Sequence, residues 1–130
     1  QIFVKYIIKY KVRRPSILNI GSIVGSMGFN ELSLYASTKS SLSALTKCMA
    51  VELASKKIRV NILNPGFIKT SYYNKFKKKK KLFNWTLSRI PLKRWGEVKD
   101  VSTMACFLIS DYTDYLTGEE INIDGGWVNS

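Results

Sequence analysis

Three short apolar runs, residues 16–20 (SILNI), 58–63 (IRVNIL) and 121–123 (INI), are separated by segments far too long for hairpin turns. The first gap holds a long helical stretch, about 32–55, carrying Leu42, Leu45, Met49 and Leu53 with small residues at the intervening turns. The second gap closes with a helix of about 98–110, opened by Trp95-Gly96-Glu97. Strands that alternate with helices are joined by crossovers, which are right-handed within one sheet. The order helix, strand, helix, strand, helix, strand therefore predicts an α/β fold, a parallel sheet with helices on both faces. Three strands alone make a poor parallel sheet, because an edge strand is normally buried under more sheet. The chain opens on Gln1, already inside a helical pattern (residues 1–12) that Arg13-Arg14-Pro15 stops. Both features lead us to expect a fragment with strands missing upstream.

A hydrophobic content of 45% over 130 residues suits one globular domain. The net charge of +12 raises nucleic acid as a partner. However, the basic residues scatter over 5–14, 56–59 and 75–81, and no zinc-finger, RNA-recognition or helix-turn-helix pattern accompanies them. Neither a nucleic-acid partner nor a membrane partner is expected; no apolar run reaches 18 residues. The start also lacks the charged, apolar and small-residue order of a signal peptide. Cys48 and Cys106 lie far apart inside apolar helical patterns. They read as two buried free thiols of a reducing, cytoplasmic compartment. With no histidine and no Cys-x-x-Cys pair, no metal site is expected.

The chemistry concentrates after the first strand. Residues 21–30 (GSIVGSMGFN) read as a loop at that strand's carboxyl end, the edge where open parallel sheets bind ligands. A hydroxyl there, Ser22, can hydrogen-bond a substrate oxygen as charge builds on it. Tyr35 and Lys39, four apart at the start of the long helix, share one face. A free phenol titrates near ~10 and exchanges protons sluggishly at neutrality. An ammonium a few ångströms away favours the phenolate and makes the pair a proton donor or acceptor near neutral pH. Each part is weak alone. A helical Tyr and Lys at this spacing are more often a packing pair, and a loop serine more often bonds its local backbone. Their order, between two strands and before Asn64-Pro65-Gly66, is what gives them weight.

In that order, the chain resembles the short-chain dehydrogenases/reductases. The resemblance rests on Asn19-Ile20-Gly21-Ser22, Tyr35-x-x-x-Lys39, Arg59-Val60-Asn61, Asn64-Pro65-Gly66-Phe67-Ile68-x-Thr70, Arg94-x-Gly96-Glu97, and Thr117-Gly118-Glu119 through Asp124-Gly125-Gly126. It implies the C-terminal half of a doubly wound Rossmann fold, three-layer α/β/α, without the N-terminal dinucleotide-binding strands. It implies an NAD- or NADP-dependent oxidoreductase that interconverts a ketone and a secondary alcohol. Tyr35 would be its acid and base, Lys39 would hold the nicotinamide ribose, and Ser22 would orient the substrate oxygen. Pro65, Gly66 and Ile68 would line the nicotinamide pocket, with the Ile68 backbone at the carboxamide and Thr70 near the carboxamide or phosphates. The family's first half carries the glycine-rich phosphate loop, the residue that selects NAD or NADP, an Asn-Ala-Gly segment and a catalytic asparagine. None of these stands in residues 1–130. The chain by itself is therefore expected to bind nicotinamide cofactor poorly and to turn over little.

Within the family, residues 21–28 (GSIVGSMG) resemble the loop of 3-oxoacyl-carrier-protein reductases. The same resemblance puts Arg13 and Lys56 where those enzymes dock the acidic acyl carrier protein; surface cations at helix ends are the plainer reading. Residues 68–90 read as a mobile helical excursion, and 71–90 fall at the family's variable substrate lid. There Tyr72, Tyr73, Phe76, Phe83 and Trp85 would wall a pocket or pack the lid down, and Lys77–Lys81 would meet an anionic substrate or, on the plainer reading, form a solvated charge run. A sugar, polyol or other small-alcohol dehydrogenase is the alternative substrate class. A non-catalytic interaction remnant is the alternative of another kind. A homo-oligomer is expected of the full-length protein.

Overall fold

A computed structural model describes residues 2–130. Helix α1 (Ile2–Lys9) leads to β1 (Ser16–Ile20), then α2 (Ser33–Leu53), β2 (Arg59–Pro65), α3 (Tyr73–Lys78), α4 (Lys80–Arg89), α5 (Val98–Ile109) and β3 (Glu120–Ile123). The three strands form one sheet in the order β1-β2-β3, parallel throughout, with Ser16 opposite Arg59 and Ile62 opposite Glu120. The alternation read from the sequence is thus the fold observed, and the strand and helix limits shift by only one to three residues.

Central strand β2 is buried from Arg59 to Asn64. Its side chains alternate between two faces. Val60 meets Ala50 and Leu53 of α2, together with Val4 and Ile7 of α1. On the other face the Arg59 guanidinium donates to the carbonyls of Leu108 and Ser110 and to Thr113 Oγ1, at 2.9 to 3.0 Å, and so ties off the end of α5. Asn61 spans the next connection, donating to the Leu116 carbonyl and accepting from the Glu119 N–H. Buried polar groups satisfied in this way fix how the last strand enters the sheet.

Two readings need correction. Cys48 and Cys106 are free thiols, but both are exposed. Helix α2 turns Thr46, Ala50 and Leu53 inward, and a residue two places from Thr46 points to the opposite side of a 3.6-residue turn. Leu45, read as part of the apolar row, lies about 100° round the helix from Thr46 and is half exposed. The segment 71–90 is helical, as its sequence suggests. It forms two short helices broken at Lys79. Tyr73, Phe76, Phe83 and Leu87 pack against a buried cluster of Ile23, Ile90, Trp95 and Trp127. The Trp95 indole N–H donates to Thr86 Oγ1 at 2.8 Å inside it. Edge strand β1 leaves Ile20 47% exposed.

Candidate active site

The site is assembled where β1 and β2 end. After β1, the chain turns through Gly21 and Ser22 into a single 3-10 turn, Ile23–Gly25. Ser22 caps that turn, its Oγ accepting from the Val24 N–H at 3.3 Å. This leaves the hydroxyl proton for a partner in the cleft. Gly21 is obligatory on space alone, because a Cβ there would stand 2.0 Å from Asn64 Oδ1 and 2.8 Å from Ile62 Cδ1. Gly25 sits tightly against α2, where an added Cβ would meet the backbone of Lys39 at 3.0 Å and of Ser40 at 3.2 Å. The serine loop therefore lies directly on the helix that carries Tyr35 and Lys39.

Two further ties set that helix against β1. Buried Thr46 accepts from Asn19 Nδ2 at 2.9 Å and donates to the Leu42 carbonyl. About two turns nearer the cleft, the Lys39 ammonium donates to the carbonyl of Ile20 at 2.9 Å. It stands 5.8 Å from the centre of the Tyr35 ring. Tyr35 itself is 45% exposed, with its ring open to the cleft.

The opposite wall follows β2. Gly96 bonds to the residues on either side of Ile68, its N–H donating to the Phe67 carbonyl and its carbonyl accepting from the Lys69 N–H, so that Ile68 is bridged to the entry of α5. The Lys69 ammonium pairs with the Glu97 carboxylate, and this hydrogen bond raises the Lys69 pKa. Arg94 holds Asp100 with two bonds, 2.6 and 3.2 Å. With the Glu97 N–H donating to Asp100 at 2.7 Å as well, the carboxyl is pulled down to about 2. Glu97 and Asp100 together form a reciprocal cap on α5. Neither the N–H nor the C=O of Ile68 has a hydrogen-bond partner among the described residues.

Ser22, Tyr35, Lys39, Pro65, Gly66, Ile68 and Thr70 all line one cleft of about 460 Å³. All seven residues singled out in the sequence come together. Five lining residues were not singled out: Ile20 and Gly21, beside Ser22, and Val98, Val101 and Ser102, from the first turns of α5. The signal for the last three was Gly96-Glu97, which fixes where that helix starts. Arg13 and Lys56 do not join the cleft. Each is exposed just before a strand begins, Arg13 before β1 and Lys56 before β2. That places them at the far end of strands about 17 Å long.

The sequence profile described as enoyl-(acyl carrier protein) reductase matches residues 2–128. A 3-oxoacyl-[acyl-carrier-protein] reductase of Thermotoga maritima is 43% identical over 98% of this chain and 50% of its own length. A structure from Agrobacterium tumefaciens with NADP bound, a candidate 2-deoxy-D-gluconate 3-dehydrogenase, superposes with a TM-score of 0.93 at 34% identity. That match covers 98% of this chain and 52% of the other. A 4-hydroxyisoleucine dehydrogenase complexed with NADH gives 0.91 at 35% identity, over 97% and 51%. The chain spans about half the length of the relatives it matches. With the profile running from residue 2 to residue 128 and the motifs meeting in one cleft, the chain belongs to the short-chain dehydrogenase/reductase family.

Proposed function

We propose that this chain is the catalytic half of a nicotinamide-dependent oxidoreductase that interconverts a ketone and a secondary alcohol. The observation that carries the reading is the convergence of Ser22, Tyr35 and Lys39 with Pro65, Gly66, Ile68 and Thr70 on one cleft at the carboxyl ends of β1 and β2. The residues present fit the nicotinamide end of NAD or NADP. An unpaired main-chain donor and acceptor at Ile68 match the two hydrogen-bonding functions of a carboxamide. The cofactor, when bound, supplies or takes the hydride.

This chain's residues manage the proton and the geometry. Ser22 donates its hydroxyl proton to the carbonyl oxygen and holds it as negative charge develops. Tyr35 delivers its phenolic proton to that oxygen, and in the reverse direction takes the proton from the alcohol. Lys39, anchored on the Ile20 carbonyl, keeps its ammonium beside the Tyr35 ring and stabilises the phenolate left behind. Val98 and Val101 add apolar surface to the cleft wall. A 3-oxoacyl thioester is the substrate favoured by the Thermotoga maritima relative. A sugar or polyol is the second reading, favoured by the Agrobacterium tumefaciens neighbour and by a gluconate 5-dehydrogenase from Burkholderia cenocepacia. A homo-oligomer in the cytoplasm is part of the same proposal, supported there by two cysteines left free.

The test is Tyr35→Phe in the full-length protein. Turnover should fall roughly 10²–10⁴-fold while NADH and NADPH binding, followed by nicotinamide fluorescence, stays as in the parent. Unchanged turnover removes Tyr35 from the proton path and the reading with it.

A further inference from the structure

We infer that the lysine run from Lys75 to Lys81 is the docking surface for an acidic acyl carrier, a protein that brings a thioester to the cleft; the inference rests on the oxidoreductase reading above. Between Glu52 and Glu97 the chain has no carboxylate at all, yet it holds thirteen lysines and arginines, six of them in the seven positions 75–81. Four cations outside the run have carboxylate partners: Arg14 with Asp111 and Asp114, Lys47 with Glu120, Lys69 with Glu97 and Arg94 with Asp100. Among the described residues no lysine of the run has an ion-pair partner.

The arrangement is locally unfavourable. Adjacent ammoniums repel, and Lys80 and Lys81 stand in the first turn of α4, where cations oppose the helix dipole and no acidic side chain offsets them. The segment folds because Tyr73, Phe76 and Phe83 bury themselves on Trp95. What remains outside is concentrated positive charge with nothing of this chain to neutralise it.

Position selects the kind of anion. Tyr73 is approached by the Lys69 ammonium at 5.7 Å and by the Lys77 ammonium at 5.8 Å. Lys69 lies between Ile68 and Thr70, both in the cleft wall. The run thus begins beside the cleft mouth, whereas Arg13 and Lys56 stand at the opposite end of the sheet. A carrier seated on the lysines has its acyl arm at the entrance. A lipid surface fits less well, because α4 turns Phe83 and Leu87 into the core. That leaves Leu82 and Trp85 outside, and Trp85 leans edge-on against Trp127 at 5.4 Å. Two side chains are too little apolar face for an interfacial helix. An acidic protein needs no insertion, since complementary charge steers and orients the encounter.

The experiment uses the full-length protein and a fluorescently labelled acyl carrier protein, with binding read by anisotropy as salt is raised. The variant Lys77→Gln/Lys78→Gln/Lys80→Gln/Lys81→Gln, with folding checked by circular dichroism, should bind the carrier at least ten-fold more weakly and with a flatter salt dependence. Arg13→Gln/Lys56→Gln should bind as the parent does. Carrier binding unchanged by the four lysine substitutions overturns the inference. So does lysine-dependent capture of phosphatidylglycerol vesicles without carrier binding, which would make the surface a lipid site. NADH oxidation with a 3-oxoacyl thioester checks the oxidoreductase reading separately. Absent turnover with lysine-dependent carrier binding intact would sink that reading and leave the docking surface standing.

Discussion

Asp100 shows how much of this site is fixed by single charged groups. Its carboxyl takes two bonds from Arg94 and one from the Glu97 N–H, and its pKa drops from 3.8 to about 2, the Arg94 bond contributing most. A carboxyl whose folded value lies below its unfolded one adds stability that is fully present above the unfolded value and lost as pH falls through the folded one. The window here runs from about pH 4 down to about pH 2. The Asp100 carboxyl resonance should therefore titrate near 2, and a midpoint near 3.8 would show that the clasp does not form in solution. Asp100→Asn should flatten the acid limb of stability over that window. The consequence reaches the cleft, because the clasp holds the entry of α5 against the strand of Ile68. At this scale the sequence was most legible for Tyr35, Lys39 and Ser22, whose chemistry is in their side chains. It was least legible for Asp100 and Arg94, which act only through a partner that the fold brings near. It also misjudged Cys48 and Cys106, since small apolar neighbours along a helix do not say which side faces the sheet.

At the scale of elements, the distance between the Ser22 turn and α2 is set by a glycine. An alanine at Gly25 would place its Cβ 3.0 Å from the Lys39 carbonyl carbon and 3.2 Å from the Ser40 nitrogen, both backbone atoms that cannot rotate away. Either the turn or the helix must shift by a few tenths of an ångström. Gly25→Ala should cost about 1–3 kcal/mol in stability by overpacking, measured by denaturant unfolding. It should also lower kcat through displacement of Ser22 from Tyr35, and kcat is the readout that a purely structural effect would spare. Full activity with reduced stability would show that the turn yields away from the cleft. The glycines of residues 21–30 were legible as a loop, but not as the contact on which the site's spacing depends. The elements around them were legible because each is periodic over enough residues: α2 over 21, α5 over 12, and three strands that read as apolar runs. Helices α3 and α4, of 6 and 10 residues, were legible as one helical excursion, but not the break at Lys79 between them. Of the four side chains turned inward there, the aromatics Tyr73, Phe76 and Phe83 stood out among the lysines, and Leu87 did not.

Across the whole molecule, one aromatic core joins parts of the chain that are far apart in sequence. Trp127, 2% exposed, packs near Phe29 from the serine loop, Phe67 after β2 and Trp85 of α4, with ring centres 4.8 to 6.1 Å apart. Ile23, next to Ser22, is buried in the same cluster. Arg89 stacks its guanidinium 5.5 Å from the Trp127 ring and donates to the Ser130 carbonyl. The C-terminal residues are therefore part of what holds both the Ser22 turn and the lysine-bearing helices. Trp127→Ala should cost about 3–5 kcal/mol, and the loss should be uneven. Amide exchange should accelerate in residues 73–89 and in the turn after Ser22, while β2 and α2, held by the separate cluster of Ala50, Leu53, Ile58 and Val60, keep their protection. If exchange rises equally in both clusters, the molecule unfolds as a single unit and the aromatic core has no local hold on the site. If 73–89 exchanges fast already in the parent, the packing of Tyr73, Phe76 and Phe83 is too weak to seat a docking surface, and the lysines would be a tethered charge rather than a placed one.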